Sequence, residues 1–229
     1  MPAQSFVALE RAIGIHFRDK EFLSQALTHR SSVRESRRGG HNERLEFLGD
    51  AVLELAATEY LYHLSEKPEG ELTNWRSALV QREHLSAVAR DIQLGQYLQI
   101  SRGEEASGGR DRTSNLANAL EALIGAIYLD KGFEESKHFC YQFILKRLDS
   151  LLAAGKDRDE KSLFQEYAQE KHGITPHYET MDAVGPDHKK DFTCAVFIGT
   201  EKVAEGHGNS KQKAEQAAAK AGLKAKGWK

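Results

Sequence analysis

The spacing of the apolar residues changes once along this 229-residue chain, and that change constrains the fold more than any other feature. From about residue 5 to residue 152 the apolar side chains recur every three or four positions, which is typical of amphipathic helices. After residue 160, one helical segment is followed by stretches rich in β-branched and aromatic residues at 177–184 and 191–203. The sequence therefore predicts a large helical part and a smaller mixed part.

Polar stretches divide these two parts further. Within the helical part, glycine-containing stretches lie at 39–40, 67–70 and 101–114, and each is predicted to be a loop between helices. The segment 153–160 is short, charged and nearly without large apolar residues, as expected for a linker between domains. The sequence thus predicts a multidomain chain whose first domain, 5–152, is all-α.

The second domain, 161–229, is predicted to be of the α+β class with the order α-β-β-β-α. Turn residues at 185–187 and 199–200 separate three strands, and Asn209-Ser210 supplies an N-cap for an alanine-rich last helix. About 70 residues are enough for a small domain of two packed layers.

Composition argues against several classes of protein. No apolar run approaches the roughly 18 residues that a membrane-spanning helix needs, and residues 1–20 are charged and interrupted rather than signal-like. The two cysteines, Cys140 and Cys194, have no Cys or His neighbour at zinc-ligand spacing. We therefore expect a cytoplasmic protein that does not contact a membrane, with cysteines that serve packing.

Two acids lie four residues apart in an otherwise apolar helical pattern. On a helix, Glu46 and Asp50 share one face, where like charges cost about 0.2–0.5 kcal/mol even when exposed. A second apolar helix, over 116–129, carries Glu121 as its only charged residue, with Asn118 on the same face. Carboxylate and amide oxygens are ligands that hard cations such as Mg²⁺ prefer. The sequence predicts that these four side chains converge between two helices around a divalent cation.

An alternative assigns the same acids to ion pairs. Arg44 or Arg76 would then neutralise them, as is common for a single glutamate in an apolar helix. The presence of three acids in two such helices favours the metal site, but the sequence alone leaves both interpretations open.

Such a metal site supports hydrolysis by a metal-activated water, of which phosphodiester cleavage is one case. The chain shows no cysteine nucleophile, no Ser-His-Asp spacing and no P-loop, and no small-molecule organic cofactor is expected. Hard carboxylate ligands instead indicate Mg²⁺-activated water, and two ions about 3.5–4 Å apart can neutralise both the phosphoryl and the leaving oxygens. Asp50 and Glu121 are the candidates for orienting that water and metal.

The C-terminal helix carries a candidate phosphate clamp. Six lysines fall between residues 211 and 229 against one acid, although the whole chain has a formal net charge of −2. Lys211 and Lys213 follow Ser210, so cations occupy the first turn of the helix, where its dipole disfavours them. An anion beside the exposed amide groups would compensate, and the alternative is a solvated charged face.

These motifs resemble those of the ribonuclease III family. The resemblance to the helical domain rests on four stretches: 25–31, 42–50 (NERLEFLGD), 72–82 and 121–126. It implies an endonuclease domain whose metal-binding acids are Glu46, Asp50 and Glu121, with Asp50 and Glu121 catalytic. The family's usual Asp at the fourth position is Asn118 here, which predicts weaker Mg²⁺ binding or a preference for Mn²⁺. A further acid of the family matches Glu69, in a predicted loop, where the alternative is a solvated charge.

The second domain resembles the double-stranded RNA-binding domain, which has the same α-β-β-β-α order. The match rests on the turn at 185–188, on Phe192 and on the start of the last helix. The RNA contacts that it implies come from Gln165, Glu166 and His188 at the minor grooves and from Ser210, Lys211 and Lys213 at the phosphates. Gln212 and Glu215 replace lysines that are usual in this domain, which weakens the predicted clamp.

Phe47 follows Glu46 directly and so points to a different side of the helix. The resemblance implies that this ring packs into a partner subunit, in a homodimer whose two sites face one duplex. The alternative is that Phe47 belongs to the ordinary core of its own chain.

The resemblance implies a homodimeric, Mg²⁺-dependent endoribonuclease that cuts double-stranded RNA and leaves 5′-phosphate and 3′-hydroxyl ends. Ribosomal and other structured precursor RNAs are the expected substrates. Two alternatives remain at this point. The first is a non-cleaving RNA-binding or chaperone protein in which Asn118 marks a decayed site. The second is an all-helical metal-dependent nucleotide hydrolase, in which the basic C-terminal domain has no role.

Overall fold

The computed structural model describes residues 6–32, 40–155, 160–186 and 190–228. Contacts divide the chain into two units, Met1–Asp157 and Arg158–Lys229, and each unit is described by itself. The described residues form an all-α unit and then an α-β-β-β-α unit, which confirms the predicted fold class.

Helices form the regular structure of the described part of the first unit. Their ranges are α1 Phe6–Ile13, α2 Lys20–Ala26, α3 Glu43–Leu64, α4 Glu69–Val80, α5 Arg82–Asp91, α6 Arg102–Ala106, α7 Thr113–Lys131, α8 Phe133–Phe143 and α9 Leu148–Ala153. Short 3₁₀ turns lie at Arg30–Ser32, Leu94–Tyr97 and Leu145–Arg147.

The central helix of this unit is α7. From Leu116 to Ile127 its side chains are buried except at Asn118 and Glu121, which are partly exposed. A helix that is apolar on nearly all sides must be surrounded, and α7 contacts α2, α3, α5 and α8. Because residues three apart share a face, Asn118 and Glu121 mark the one side of this stretch that opens to solvent.

Two of the predicted loops are partly helical. The helix α4 begins at Glu69, because the Pro68 carbonyl oxygen accepts bonds from the amides of Glu71 and Leu72 at 3.0 and 3.2 Å. Inside the predicted loop 101–114, α6 begins after Ser101, whose hydroxyl oxygen accepts a bond from the Glu104 amide at 3.2 Å. The sequence interpretation was wrong here because proline and serine, taken as loop residues, start helices.

The second unit contains α10 Glu160–His172, β1 His177–Val184, β2 Asp191–Ile198, β3 Glu201–Gly208 and α11 Lys211–Lys226. The strands form an antiparallel sheet in the order β1-β2-β3. The predicted linker 153–160 overlaps α9 and α10 by one residue each, and residues 156–159 lie outside the described part.

One face of this sheet packs against both helices of the unit. Its core contains Phe164 of α10, Val196 of β2 and Leu223 of α11. A Cβ atom on Gly206 of β3 would overlap the backbone of α11 at Ala217 and Ala218, so small residues on both elements permit their close approach. The alanine-rich composition of α11 therefore fits the helix to the sheet.

The remaining sequence predictions concern cysteines and membranes. Cys140 and Cys194 are buried and free, as expected for packing residues, and burial raises the pKa of the Cys140 thiol to about 12. Within the described ranges, no helix combines the length and hydrophobicity that a membrane crossing requires.

Candidate active site

Glycines bring the two acid-bearing helices into backbone contact. A Cβ atom on Gly49 of α3 would overlap the carbonyl oxygen of Glu121 in α7, and one on Gly125 would overlap the carbonyl oxygen of Leu45. No other residue type fits at these two positions without moving a helix. The crossing therefore places Glu46 and Asp50, one turn apart on α3, directly beside Glu121.

The crossing forms one wall of a cavity of about 680 Å³. The four predicted oxygen donors, Glu46, Asp50, Asn118 and Glu121, all line it. Its other lining residues are His29, Arg30, Asn42, Glu43, Phe47, Val80, Arg82, Ser114, Asn115 and Ala117. The structure thus brings together the side chains that the sequence placed on two separate helices.

The ion-pair alternative fails for these acids. In the described part of the chain, Glu46, Asp50 and Glu121 form no ion pair, while Arg76 pairs with Glu54 at 3.0 Å. Nor does any group of three or more His, Cys, Asp or Glu side chains among the described residues come close enough to hold a metal ion. The donors face a shared space rather than a single point.

Burial and repulsion act most strongly on Glu121. Desolvation, followed by the negative charges of Asp50 and Glu46, raises the pKa of its carboxyl group from 4.5 to about 7. The positive charge of Arg82 opposes this shift. Burial and repulsion therefore disfavour the ionised form of Glu121, and a cation bound beside it would stabilise that form.

Glu46 is shifted in the same direction. Desolvation raises the pKa of its carboxyl group, and the charges of Glu43 and Asp50 add to the effect. Arg82 and a hydrogen bond from the Asn118 amide lower it. Asn118 therefore contacts Glu46 across the two helices, and its metal-binding role stays a prediction.

The rim of the cavity is held by the chain segment that precedes α3. The His29 amide donates to the Gln99 carbonyl at 2.9 Å, and the Asn42 amide donates to the Thr28 carbonyl at 2.9 Å. Arg30 in this segment forms an ion pair with Glu43 at 3.5 Å. These bonds fix the start of α3, and with it the position of Glu46.

Two further predicted residues of this unit, Glu69 and Phe47, differ from the four oxygen donors. Glu69 is exposed in the first turn of α4 and does not line the cavity, so its metal-binding role stays a prediction. Phe47 is 82% exposed, so the alternative that it belongs to the core of its own chain is wrong. Leu55 and Tyr62, farther along α3, are 56% and 71% exposed.

Three residues that shape this site were not predicted from the sequence. Gly49 and Gly125 set the approach of the helices, and Arg82 supplies the positive charge that both glutamates experience. The presence of a glycine inside each of two predicted helices could have indicated that these helices approach closely. Arg82 ends the stretch 72–82 that resembles the family, but its place at the cavity was not predicted, because only the fold brings the start of α5 there.

In the second unit, the predicted RNA-contacting side chains are accessible where they are described. Gln165 and Glu166 are exposed on α10, and Lys211 and Lys213 are exposed in the first turn of α11. Ser210 is the N-cap of α11, and its hydroxyl oxygen accepts a bond from the Lys213 amide at 3.3 Å. His188 lies outside the described residues.

Glu215, which departs from the pattern of such domains, has a structural partner. Its carboxylate accepts a bond from the Lys161 ammonium at 2.6 Å, which joins α11 to α10. This pair neutralises the acid, so Glu215 opposes a nearby anion less than an unpaired carboxylate would.

Family comparisons assign both units. A model of the Ribonuclease-III-like family matches residues 19–148, and a model of the double-stranded RNA binding motif matches residues 160–226. The chain belongs to the ribonuclease III family. It is therefore a ribonuclease III-type endonuclease that carries a double-stranded RNA binding motif.

Relatives named Ribonuclease 3 match along most of the chain. That of Desulforamulus reducens is 47% identical over 93% of this chain and 87% of its own length. That of Geobacter sulfurreducens is 46% identical over 95% of this chain and 89% of its own length. A solved nuclease domain of ribonuclease III from Campylobacter jejuni is 43% identical with a TM-score of 0.58, and the match covers 62% of this chain and 97% of that one.

Proposed function

We propose that this endonuclease uses Mg²⁺ held between α3 and α7 to hydrolyse phosphodiester bonds in double-stranded RNA, leaving 5′-phosphate and 3′-hydroxyl ends. The observation that carries this proposal is the cavity lined by Glu46, Asp50, Asn118 and Glu121, in which the three acids have no ion-pair partner among the described residues.

The donor set fits a hard divalent cation. Three carboxylates and one amide oxygen match the ligands of Mg²⁺, and Mn²⁺ accepts the same set. When bound, the cation supplies Lewis-acid chemistry, which activates a water nucleophile and neutralises charge on the phosphoryl oxygens. The elevated pKa of Glu121 supports this fit, because the burial and the negative neighbours that raise this pKa also favour binding of a cation.

The side chains of the cavity divide the work of hydrolysis. Asp50 is exposed at its mouth, where its carboxylate can accept a hydrogen bond from the attacking water and orient it toward phosphorus. Glu46 and Asn118 hold each other across the helix crossing and keep the donor positions fixed. The water oxygen bonds to phosphorus and loses a proton, the bond from phosphorus to the 3′ oxygen breaks, and that oxygen gains a proton and leaves as a hydroxyl group.

Cleavage of a defined duplex tests this proposal. Wild-type protein and Glu121→Gln are incubated with duplex and single-stranded RNA, with Mg²⁺ or with EDTA, and the product ends are identified. We expect wild type to cut the duplex only with Mg²⁺, and Glu121→Gln to bind it without cutting. Binding without cleavage by the wild type would instead support an RNA-binding protein with a decayed site.

Asn118 gives the site one negative charge fewer than an aspartate would. We propose that this weakens Mg²⁺ binding and favours Mn²⁺. The variant Asn118→Asp should reach its half-maximal rate at a lower Mg²⁺ concentration than wild type. An unchanged Mg²⁺ dependence would rule out this role for Asn118.

The exposed side of α3 supports a homodimer. Phe47, Leu55 and Tyr62 follow one another at spacings of eight and seven residues, which places these exposed side chains along one side of the helix. Exposed apolar patches of this kind mark interfaces. In the ribonuclease III nuclease domain of Campylobacter jejuni, a structurally flexible region is involved in dimer formation.

Sedimentation equilibrium tests the dimer. We expect wild type to sediment as a dimer and Phe47→Ala to dissociate at micromolar concentration, because an aromatic anchor at an interface is commonly worth about 2 kcal/mol or more. If Phe47→Ala formed a dimer as stable as that of wild type, the interface would lie elsewhere.

The second unit supports double-stranded RNA as the substrate. We propose that Gln165, Glu166 and His188 contact minor grooves, while Ser210, Lys211 and Lys213 bind phosphates, as the double-stranded RNA binding motif suggests. Ribosomal and other structured precursor RNAs are the proposed substrates in the cytoplasm, where two free, buried cysteines are expected.

A further inference from the structure

Arg82 presents a guanidinium group to the active-site cavity without a partner among the described residues. It lines the cavity, its side chain is exposed, and it forms no hydrogen bond or ion pair with another residue of the described ranges. The other arginine of the cavity wall, Arg30, is paired with Glu43 at 3.5 Å. The donors of Arg82 are therefore available to a molecule that enters the cavity.

The backbone holds Arg82 in a fixed place. It is the first residue of α5 and follows Gln81, which is extended between α4 and α5. The Gln81 amide donates to the Ser77 carbonyl at 3.0 Å, and its own carbonyl accepts from His84 and Leu85 at 3.0 and 3.1 Å. Because these bonds tie the turn to both helices, the Cα atom of Arg82 is anchored at the cavity edge.

The positive charge of Arg82 acts on Glu46 and Glu121 from a distance. It lowers the pKa of both Glu46 and Glu121, so it lies within electrostatic reach of each. It nevertheless forms an ion pair with neither, although an arginine and a carboxylate that can meet usually do so. It also occupies the first turn of a helix, where the helix dipole disfavours a cation. An anion near Arg82 would relieve this unfavourable placement.

We propose that Arg82 binds a phosphate of the RNA strand that enters the cavity and positions that strand against the four oxygen donors. The planar guanidinium group matches two non-bridging phosphate oxygens with parallel N–H donors. This inference rests on the proposed function, since it takes the RNA backbone as the occupant of the cavity. A role confined to supporting the fold or the acids is the competing explanation.

Salt dependence of binding separates these explanations. Duplex RNA binding is measured in the non-cleaving Glu121→Gln background, alone and combined with Arg82→Ala, Arg82→Lys or Arg11→Ala. Arg11 is an exposed arginine of α1 outside the cavity and is the matched control. Each lost phosphate contact should reduce the slope of log affinity against log salt by about 0.7–0.9. We expect that reduction for Arg82→Ala only, because Arg82→Lys keeps the charge.

Single-turnover cleavage gives the second readout. With Glu121 intact, we expect Arg82→Ala to cut about tenfold more slowly or worse, and Arg82→Lys to recover part of the rate, because a lysine retains the charge but not the paired donors. Arg11→Ala should cut at the wild-type rate. Thermal denaturation accompanies each variant, and the melting temperature of Arg82→Ala should stay close to that of wild type.

Two results would overturn the proposal. The first is a cleavage rate and a salt slope for Arg82→Ala equal to those of the Arg11→Ala control. The second is slower cleavage with an unchanged salt slope and a lowered melting temperature, which would assign Arg82 to the fold. A wild type that fails to cut RNA contradicts the proposed function instead, and the salt slopes still test the phosphate contact.

Discussion

The two units of this chain handle charge in opposite ways. In the first, the carboxylates of Glu46 and Glu121 are drawn into a cavity between helices, where burial and repulsion raise their pKa. In the second, Lys211 and Lys213 stand exposed at the start of α11, and Glu215 is neutralised by Lys161. The first unit thus places negative charge in a cavity, and the second presents accessible positive charge at the start of a helix.

This difference assigns binding of a polyanion to the exposed lysines and the chemical reaction to the carboxylates of the cavity. Exposed lysines attract a polyanion at little structural cost, and they tolerate variation because water solvates them. Carboxylates in a cavity repel the same polyanion until a cation is present, and they depend on helices that approach closely. We therefore expect substitutions at the crossing of α3 and α7 to affect stability and catalysis, and those at the start of α11 to affect affinity.

The largest effect should follow from separating the two helices. In Gly49→Ala the new Cβ atom overlaps the Glu121 carbonyl oxygen, so α3 and α7 must move apart. We expect a loss of about 3 kcal/mol or more in the free energy of unfolding, and loss of cleavage. Chemical denaturation measures the first quantity. The control is Gly103→Ala, where the Cβ atom meets open space; equal stability of the two variants would contradict the helix crossing.

An intermediate effect is expected in the second unit. The double variant Lys211→Ala/Lys213→Ala should weaken binding of duplex RNA by about tenfold to a hundredfold, with a salt slope reduced by roughly one for each lost contact. Stability should hardly change, because both side chains are exposed. Lys224→Ala, also exposed but in the last turn of α11, is the control. Equal losses in both variants would indicate a diffuse charged face rather than a clamp.

The smallest effect concerns stability without metal. Because the pKa of Glu121 rises from 4.5 to about 7 on folding, the folded chain retains a proton that the unfolded chain releases. Wild type should therefore lose stability as the pH rises from 4.5 to about 7. Glu121→Gln escapes this loss, so in EDTA it should melt a few degrees higher than wild type at pH 8 and nearly equal to it at pH 4.5. A difference independent of pH would show that burial and repulsion do not raise the pKa of Glu121.

The sequence predicts features that arise from spacing within one helix, but not those that arise from the packing of distant segments. The acid pair at Glu46 and Asp50, and the single charge of the Glu121 helix, follow from spacing on one element, and the structure places both around one cavity. The start of α4 at Glu69 was missed because Pro68 was taken as part of a loop. Arg82 and the contact between Gly49 and Gly125 depend on how distant segments pack, which spacing along one helix does not encode.

The central claim is that the cavity between α3 and α7 holds the divalent cation, and direct metal binding tests it most simply. Calorimetric titration of Mn²⁺ into wild type, Glu121→Gln and the exposed control Glu66→Gln would be compared at one pH. The account predicts saturable binding by wild type and Glu66→Gln, with binding by Glu121→Gln weakened about tenfold or more. Equal affinity in all three proteins would contradict it.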